Sequence, residues 1–444
     1  MQRLPVRPAF SKFTPRFGLA LMAGLAAFLL AGCGRRSGAE SGGAATTIVF
    51  KHSKFFGDPD AFDALLRRFE RENPGFRVKS EALPNSSDEQ HQFYVINLQA
   101  RSADFDVLAL DVVWGAEFAR AGWLREIGPW FSPDEQQQFF RGPLEAVTYE
   151  GKVYAVPWFV DAGLLYYRKD LLEALGLGPP QTWEELVADA RRVQAEHPGR
   201  YGFVWQGKQY EGLVCNALEY LWSNGGAVLR DGRVVIDSPE NRTALAFMRG
   251  LIREDHVSPP LVTTLTEEPS RNLFGNGKSI FLRNWPYAWS LFQQPDSAVK
   301  GKVGVAVLPH FPGHESAATL GGWQLGINAY SRHPEAAERF IRFLTSYDAQ
   351  KALAMAYAMN PTRKKLYQDP DLIAAQPFTT RLYDVFEHAR PRPVTPYYVM
   401  ISQVLQSEFS AVLVDRKTPE AALAAAQAQI EQILKRTTAA TPGP

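Results

Sequence analysis

The chain has 444 residues, 45% of them hydrophobic and 12% aromatic, which excludes a disordered polymer and exceeds what a single core fills, so two lobes are expected. Its 48 basic and 47 acidic side chains leave a net charge of +1, and Arg3, Arg7, Lys12 and Arg16 stand in an acid-free leader, so the rest is mildly acidic and no nucleic-acid partner is expected. Only Cys33 and Cys215 occur, which excludes a disulfide framework and a multi-thiolate metal site; Cys215 reads as a small buried apolar residue.

The basic leader runs into an apolar stretch, Phe17 to Ala31, whose 15 residues fall short of the roughly 20 that span a bilayer. It reads as a secretory signal over residues 1–32. Leu30-Ala31-Gly32-Cys33 resembles the lipobox of bacterial lipoproteins, which implies acylation of Cys33 and a membrane anchor; a plain signal peptide with an incidental cysteine is the alternative. Residues 33–45 are rich in Gly, Ala and Ser and read as a flexible tether.

Strand-like Thr46–Phe50 opens the folded part. Asp58-Pro59 supplies a cap and a first-turn proline for a helix with Phe62, Leu65, Leu66 and Phe69 on one face, stopped at Asn73-Pro74-Gly75. Phe76–Lys79 alternates as a second strand, and Phe105–Leu110 is a third that ends at Asp111. Strands alternating with helices predict α/β units on a largely parallel sheet. A second α/β region follows Val153–Tyr167, with a helix capped by Thr182, another over Pro239–Glu254, strands at Lys302–Leu308 and Trp323–Ile327, and helices over Pro334–Tyr347 and Thr418–Leu434. Open α/β sheets bind ligands beyond the carboxyl ends of their strands, so Asp111 stands where a site would be.

No catalytic motif survives inspection. Gly277-Lys278-Ser279 lacks the upstream glycine of a phosphate loop, since Asn272 occupies that position, and it leads into strand-like residues. No GxSxG, HExxH or GxGxxG occurs, and the histidines lack metal-ligand spacing, so neither cofactor nor metal is expected. Three aromatic clusters stand out: Trp285-Pro286-Tyr287-Ala288-Trp289 after a strand, Gly321-Gly322-Trp323 before one, and Tyr397-Tyr398 after Arg390-Pro391-Arg392-Pro393. Aromatic faces suit the C–H faces of sugar rings, and charged groups suit their hydroxyls. Core tryptophans and helix-capping aspartates explain the same residues equally well.

From Ile48 to Leu434 the chain resembles the extracellular solute-binding proteins of ABC sugar importers, above all their trehalose/maltose-binding members. The resemblance rests on Asp161–Glu173, Phe203–Cys215, Arg283–Trp289, Val299–Trp323 and Arg392–Tyr398. It implies a two-lobed periplasmic-binding-protein fold of type II, α/β throughout, with ligand in the cleft between lobes. One lobe would comprise residues 46–160 and 316–373, the other 161–315 and 374–436, with a disordered tail over 437–444. Chain passages between lobes are expected near Pro157–Gly163, His310–Leu320 and Gln368–Ile373.

By position, the resemblance makes Asp111 and Asp161 acceptors of sugar hydroxyls, and Trp285, Tyr287 and Trp323 an aromatic wall. Gly322 would admit backbone to the ligand, and Arg392 would bind the sugar. Asp58 matches a family glutamate, although capping explains it too; Asp161 reads alternatively as a buried hinge-side carboxylate. The chain departs from the pattern at Phe159, where relatives carry tyrosine, and at Gln90 and His91, where they carry arginine. The implied function is that of a monomeric, lipid-anchored, extracytoplasmic protein that captures a trehalose, maltose, sucrose or palatinose-type disaccharide for an ABC permease. The alternatives are a secreted glycoside hydrolase working through Asp111 and Asp161, and the same fold binding glycerol phosphate or a polyamine.

Overall fold

The computed structural model describes residues 45–439. The signal, Cys33 and nearly all of the tether lie outside them. The strands in chain order are β1 (Thr46–Ser53), β2 (Phe76–Leu83), β3 (Val107–Asp111) and the short hairpin β4 (Thr148–Tyr149) and β5 (Lys152–Val153). There follow β6 (Ala155–Ala162), β7 (Leu164–Arg168), β8 (Tyr201–Val204) and a second hairpin, β9 (Leu229–Arg230) and β10 (Arg233–Val234). The last are β11 (Ser279–Asn284), β12 (Val303–Ala306), β13 (Leu320–Ile327) and β14 (Asn360–Pro361). They form a six-stranded sheet in the order β14-β6-β13-β3-β1-β2 and a four-stranded sheet in the order β12-β7-β11-β8. This is the two-lobed periplasmic-binding-protein fold.

Local signals set the element ends. Asp58 caps the helix Pro59–Glu72 by accepting the Asp60 N–H, and Phe62, Leu65, Leu66 and Phe69 are its buried stripe. Thr182 and Glu185 form a reciprocal capping box on the helix Trp183–Glu196. The expected helix over Pro334–Tyr347 is two helices, Pro334–Leu344 and Tyr347–Tyr357, because Ser346 turns extended and caps the second one. The last helix, Pro419–Ala439, runs into the segment expected as a tail; residues 440–444 lie outside the described ones.

The expectation of a largely parallel sheet does not hold. β1 pairs in parallel with β2 and β3, but β13 returns from the second lobe and inserts between β3 and β6, antiparallel to both. In the other sheet only β8 and β11 are parallel. The reason is connectivity: a strand that comes back from the opposite lobe enters from the far end.

The chain leaves the first sheet with a single residue, Gly163, between β6 and β7. Asp161 and Ala162 therefore belong to the first sheet, although the second lobe was expected to start at residue 161. The third passage comes later than residues 368–373. The helix Thr379–His388 still packs on the first-lobe side, where Phe386 meets Phe140 with ring centroids 5.9 Å apart. The crossing falls after it, where Arg390 bridges to Thr319 and the helix Tyr398–Leu413 joins the second lobe.

Candidate functional site

A cleft of about 470 Å³ opens between the two sheets at the carboxyl ends of β1 and β3. Strand register aligns its floor. Trp323 on β13 faces Asp111 on β3 and Phe159 on β6, so an indole stands between a carboxylate and a phenyl ring in one row. A bulge follows Trp323, and Gly322 just before it has φ +112; a Cβ there would lie 2.3 Å from the Phe159 carbonyl oxygen. That backbone is open only to glycine. Trp323 also meets Trp114 edge-on, with centroids 5.6 Å apart.

The opposite wall comes from the second sheet. The turn after β11 is pinned from below by the Tyr166 hydroxyl, which donates to the Trp285 carbonyl at 2.9 Å. Trp285 lies against the glycine pair of β13, where a Cβ on Gly321 would stand 2.9 Å from the ring. Tyr287 stacks on Phe56 from the first lobe, with centroids 6.1 Å apart at 25°. Its hydroxyl donates to Glu268 at 2.7 Å, so it offers the cleft a ring face.

Arg392 does more than the sequence suggested. It is 4% exposed and donates to Asp111 Oδ1 at 3.0 Å and to Glu211 Oε1 at 2.6 Å. It thereby joins β3 of the first sheet to the helix Glu211–Trp222 of the second lobe. Glu211 also accepts the hydroxyls of Tyr398 and Ser402. Asp111 in turn accepts the Ser87 hydroxyl at 2.9 Å and the Val113 N–H at 3.3 Å. Two buried donors on the cleft wall, Arg392 Nε and Trp158 Nε1, have no hydrogen-bond partner. Each such group costs about 1–3 kcal/mol.

Asp161 lies on β6 beside Gly321. Burial pushes its carboxyl up to about 7, an effect only partly offset by the Asn360 side chain and the Arg283 guanidinium. Glu267 and Glu211 are likewise raised by burial. Cys215 is buried as expected, burial pushes its thiol up, and its carbonyl accepts the Thr319 hydroxyl at 2.8 Å.

Three expected residues do not line the cleft. Asp58 is exposed and spent on its helix cap. Gln90 is buried, donates to the Pro84 carbonyl at 2.6 Å and holds Ser53, which does reach the cleft. His91 pairs with Glu117 at 2.8 Å and packs on Trp114 and Phe118. Helical rotation presents Ser87 and Glu89 to the cleft instead. Among the residues that sequence reasoning passed over are Phe55, Trp158, Lys208, Tyr210, Glu211 and Glu267. Glu211 and Tyr210 fall inside the Phe203–Cys215 block, which was the available signal.

Two lobes around an aromatic, acid-rich cleft define a binding protein for a small polar solute. Among the described residues no group of His, Cys, Asp and Glu could hold a metal, and no helix is long and apolar enough to cross a membrane. Residues 57–351 match the family described as bacterial extracellular solute-binding protein, and the chain belongs to that family. It is thus a binding protein rather than an enzyme, and it works outside the cytoplasm.

A probable ABC transporter-binding protein of Deinococcus radiodurans is 40% identical over 372 residues, covering 82% of this chain and 88% of that one. The structure of maltose-bound T. maritima MalE3 is similar at TM-score 0.84 and 46% identity, over 88% of this chain and 100% of that one. An ABC transporter solute-binding protein of Thermotoga lettingae, bound with α-D-tagatose, aligns at TM-score 0.79 and 27% identity, over 88% and 100% of the two chains.

Proposed function

We propose that the chain is the solute-capturing component of an ABC importer and encloses an α-glucoside disaccharide of the maltose, trehalose, sucrose or palatinose class. The observation that carries this is the row Asp111–Trp323–Phe159 facing Trp285, which sets aromatic faces beside a carboxylate acceptor. Sugars present C–H faces and hydroxyls that match both kinds of surface. The cleft of about 470 Å³ fits the range of roughly 300–1,000 Å³ for small-molecule sites. The maltose-bound relative supports the same class.

Asp111, Asp161, Trp285, Tyr287, Gly322, Trp323 and Arg392 form this site, and Phe159 supplies a face without a hydroxyl. Carboxylates outnumber cations on the cleft wall, which disfavours a phosphorylated solute. Sugar binds groups of both lobes only when they are closed, and that differential contact shifts the population toward the form a permease reads. A monosaccharide or polyol is the second reading, favoured by the tagatose-bound relative.

Calorimetric titration with maltose, trehalose, sucrose, palatinose, glucose, tagatose, mannitol and spermidine separates these. Tight binding of a disaccharide with unchanged sugar is expected. Binding of spermidine alone, or release of glucose, overturns the proposal. The tether is part of it: Cys33→Ser is expected to shift the protein from the membrane fraction to the soluble one, and retention in the membrane would refute the lipid anchor.

A further inference from the structure

Arg283 and Glu219 sit behind the cleft wall, each about 1% exposed. Arg283 is on β11, two residues before Trp285, and Glu219 is in the helix Glu211–Trp222. The guanidinium donates from Nε to Glu219 Oε2 at 2.8 Å, from Nη2 to Glu219 Oε1, and from Nη1 to Gln206 Oε1 at 3.2 Å. Gln206 returns a hydrogen bond to the Arg283 carbonyl at 2.9 Å and donates to Ser270 at 2.8 Å. Desolvating two charges offsets most of what their attraction contributes, and apolar residues of the same volume often serve stability as well. Cohesion is therefore a weak reason for this pair.

Its contacts supply a better one. A Cβ on Gly163, the residue that links β6 to β7, would stand 2.0 Å from Glu219 Oε1 and 2.6 Å from Arg283 Nη2. Thr319, which leads into β13, donates its N–H to Glu219 Oε1 at 3.1 Å. The guanidinium carbon lies 4.0 Å from the Trp285 ring centroid. One ion pair thus touches two of the chain passages between the sheets and also backs the aromatic wall.

We infer that Arg283 and Glu219 are a positioning pair, which sets the plane of the Trp285 indole and ties that plane to the strands that join the two sheets. The inference rests on the reading of the cleft as a carbohydrate site. A lysine at 283 keeps the charge opposite Glu219, but it has no planar fork to grip both carboxylate oxygens and lie flat on the indole. Charge balance and ring placement can therefore be separated.

The test uses the full chain with Arg283→Lys, the charge-free pair Arg283→Met/Glu219→Leu, and Trp285→Phe as a background. Melting temperature, maltose affinity by calorimetry and the near-ultraviolet tryptophan circular dichroism of the ligand-free protein are read for each. Arg283→Lys is expected to melt close to wild type, yet to lose about tenfold in affinity and part of the tryptophan band. In the Trp285→Phe background it should cost no further band intensity. An Arg283→Lys protein with wild-type affinity and an intact band overturns the inference. If the lysine variant does not fold, the charge-free pair decides by the same two readouts. If wild type binds no carbohydrate, the sugar reading fails, and the ligand-free tryptophan band still decides on positioning.

Discussion

Two buried arginines stand on the second-lobe side of the cleft and behave differently. Arg283 meets both oxygens of one glutamate, shares a third bond with Gln206 and stacks on Trp285, all within its own lobe. Arg392 splits its fork between Glu211 in the same lobe and Asp111 in the other, and keeps Nε unpaired. Depth of burial is nearly equal in the two. Satisfaction and reach differ. A cation held within one lobe fixes neighbouring side chains, whereas one that bridges two sheets is placed to couple a ligand to the closing of the lobes.

Deleting the bridging charge is the hardest way to break this contrast. Arg392→Met leaves Asp111 and Glu211 as buried carboxylates without a cation. It is expected to cost about 3–5 kcal/mol of stability in urea unfolding and to weaken maltose more than about a hundredfold. A variant as stable as wild type would show that the bridge contributes nothing. The aromatic faces come next. Trp285→Ala and Trp323→Ala are each expected to weaken maltose by about 2 kcal/mol, roughly thirtyfold, in calorimetry. Trp323→Ala should also lower the melting temperature more, because its ring packs on Trp114. Equal affinity in either variant removes that ring from the wall.

Glu211→Gln sharpens the comparison. The amide keeps the shape of the glutamate while weakening its hold on Arg392, and it removes a charge that burial had already made unfavourable. The opposed effects should leave stability within about 1 kcal/mol of wild type. Affinity should fall about tenfold as Arg392 loses one of its two anchors. A stability loss as large as that of Arg392→Met would make Glu211 a structural residue alone.

How much of this was legible in the sequence follows the range of the interactions. The Asp58 cap, the Thr182 cap and the stripe from Phe62 to Phe69 are local, and the structure repeats them. Asp111 at the end of β3 and the Trp285 turn were legible because each closes a strand. The antiparallel entry of β13 was not, since it depends on a return from the far lobe. Glu211 was missed because an acid at the start of a helix satisfies the helix dipole and gives no sign of a distant arginine. Gln90 and His91 were misplaced for the opposite reason: residues one step apart on a helix face different ways, and only the docked helix shows that Ser87 and Glu89 point at the cleft.

The gentlest probe is pH, and it acts through Asp161. Burial holds this carboxyl up to about 7, against about 4 in an unfolded chain. Between those values the folded protein carries a proton that the unfolded chain has released, so acidification from pH 8 to 5 stabilises the fold through this group. Below about 4 both states are protonated, and above about 7 the native state bears the cost of a buried charge. The ligand-free protein should therefore gain a few degrees in melting temperature toward pH 5, and Asp161→Asn should flatten that gain, since the amide has no proton to take up. Arg283 lowers this carboxyl, so Arg283→Met/Glu219→Leu should move the Asp161 part of the gain upward, read as the difference between that pair with and without Asp161→Asn, because Glu219 is itself raised by burial. An unchanged slope in Asp161→Asn would assign the pH response to the other carboxyls that burial shifts in the same direction, Glu211, Glu219 and Glu267 among them.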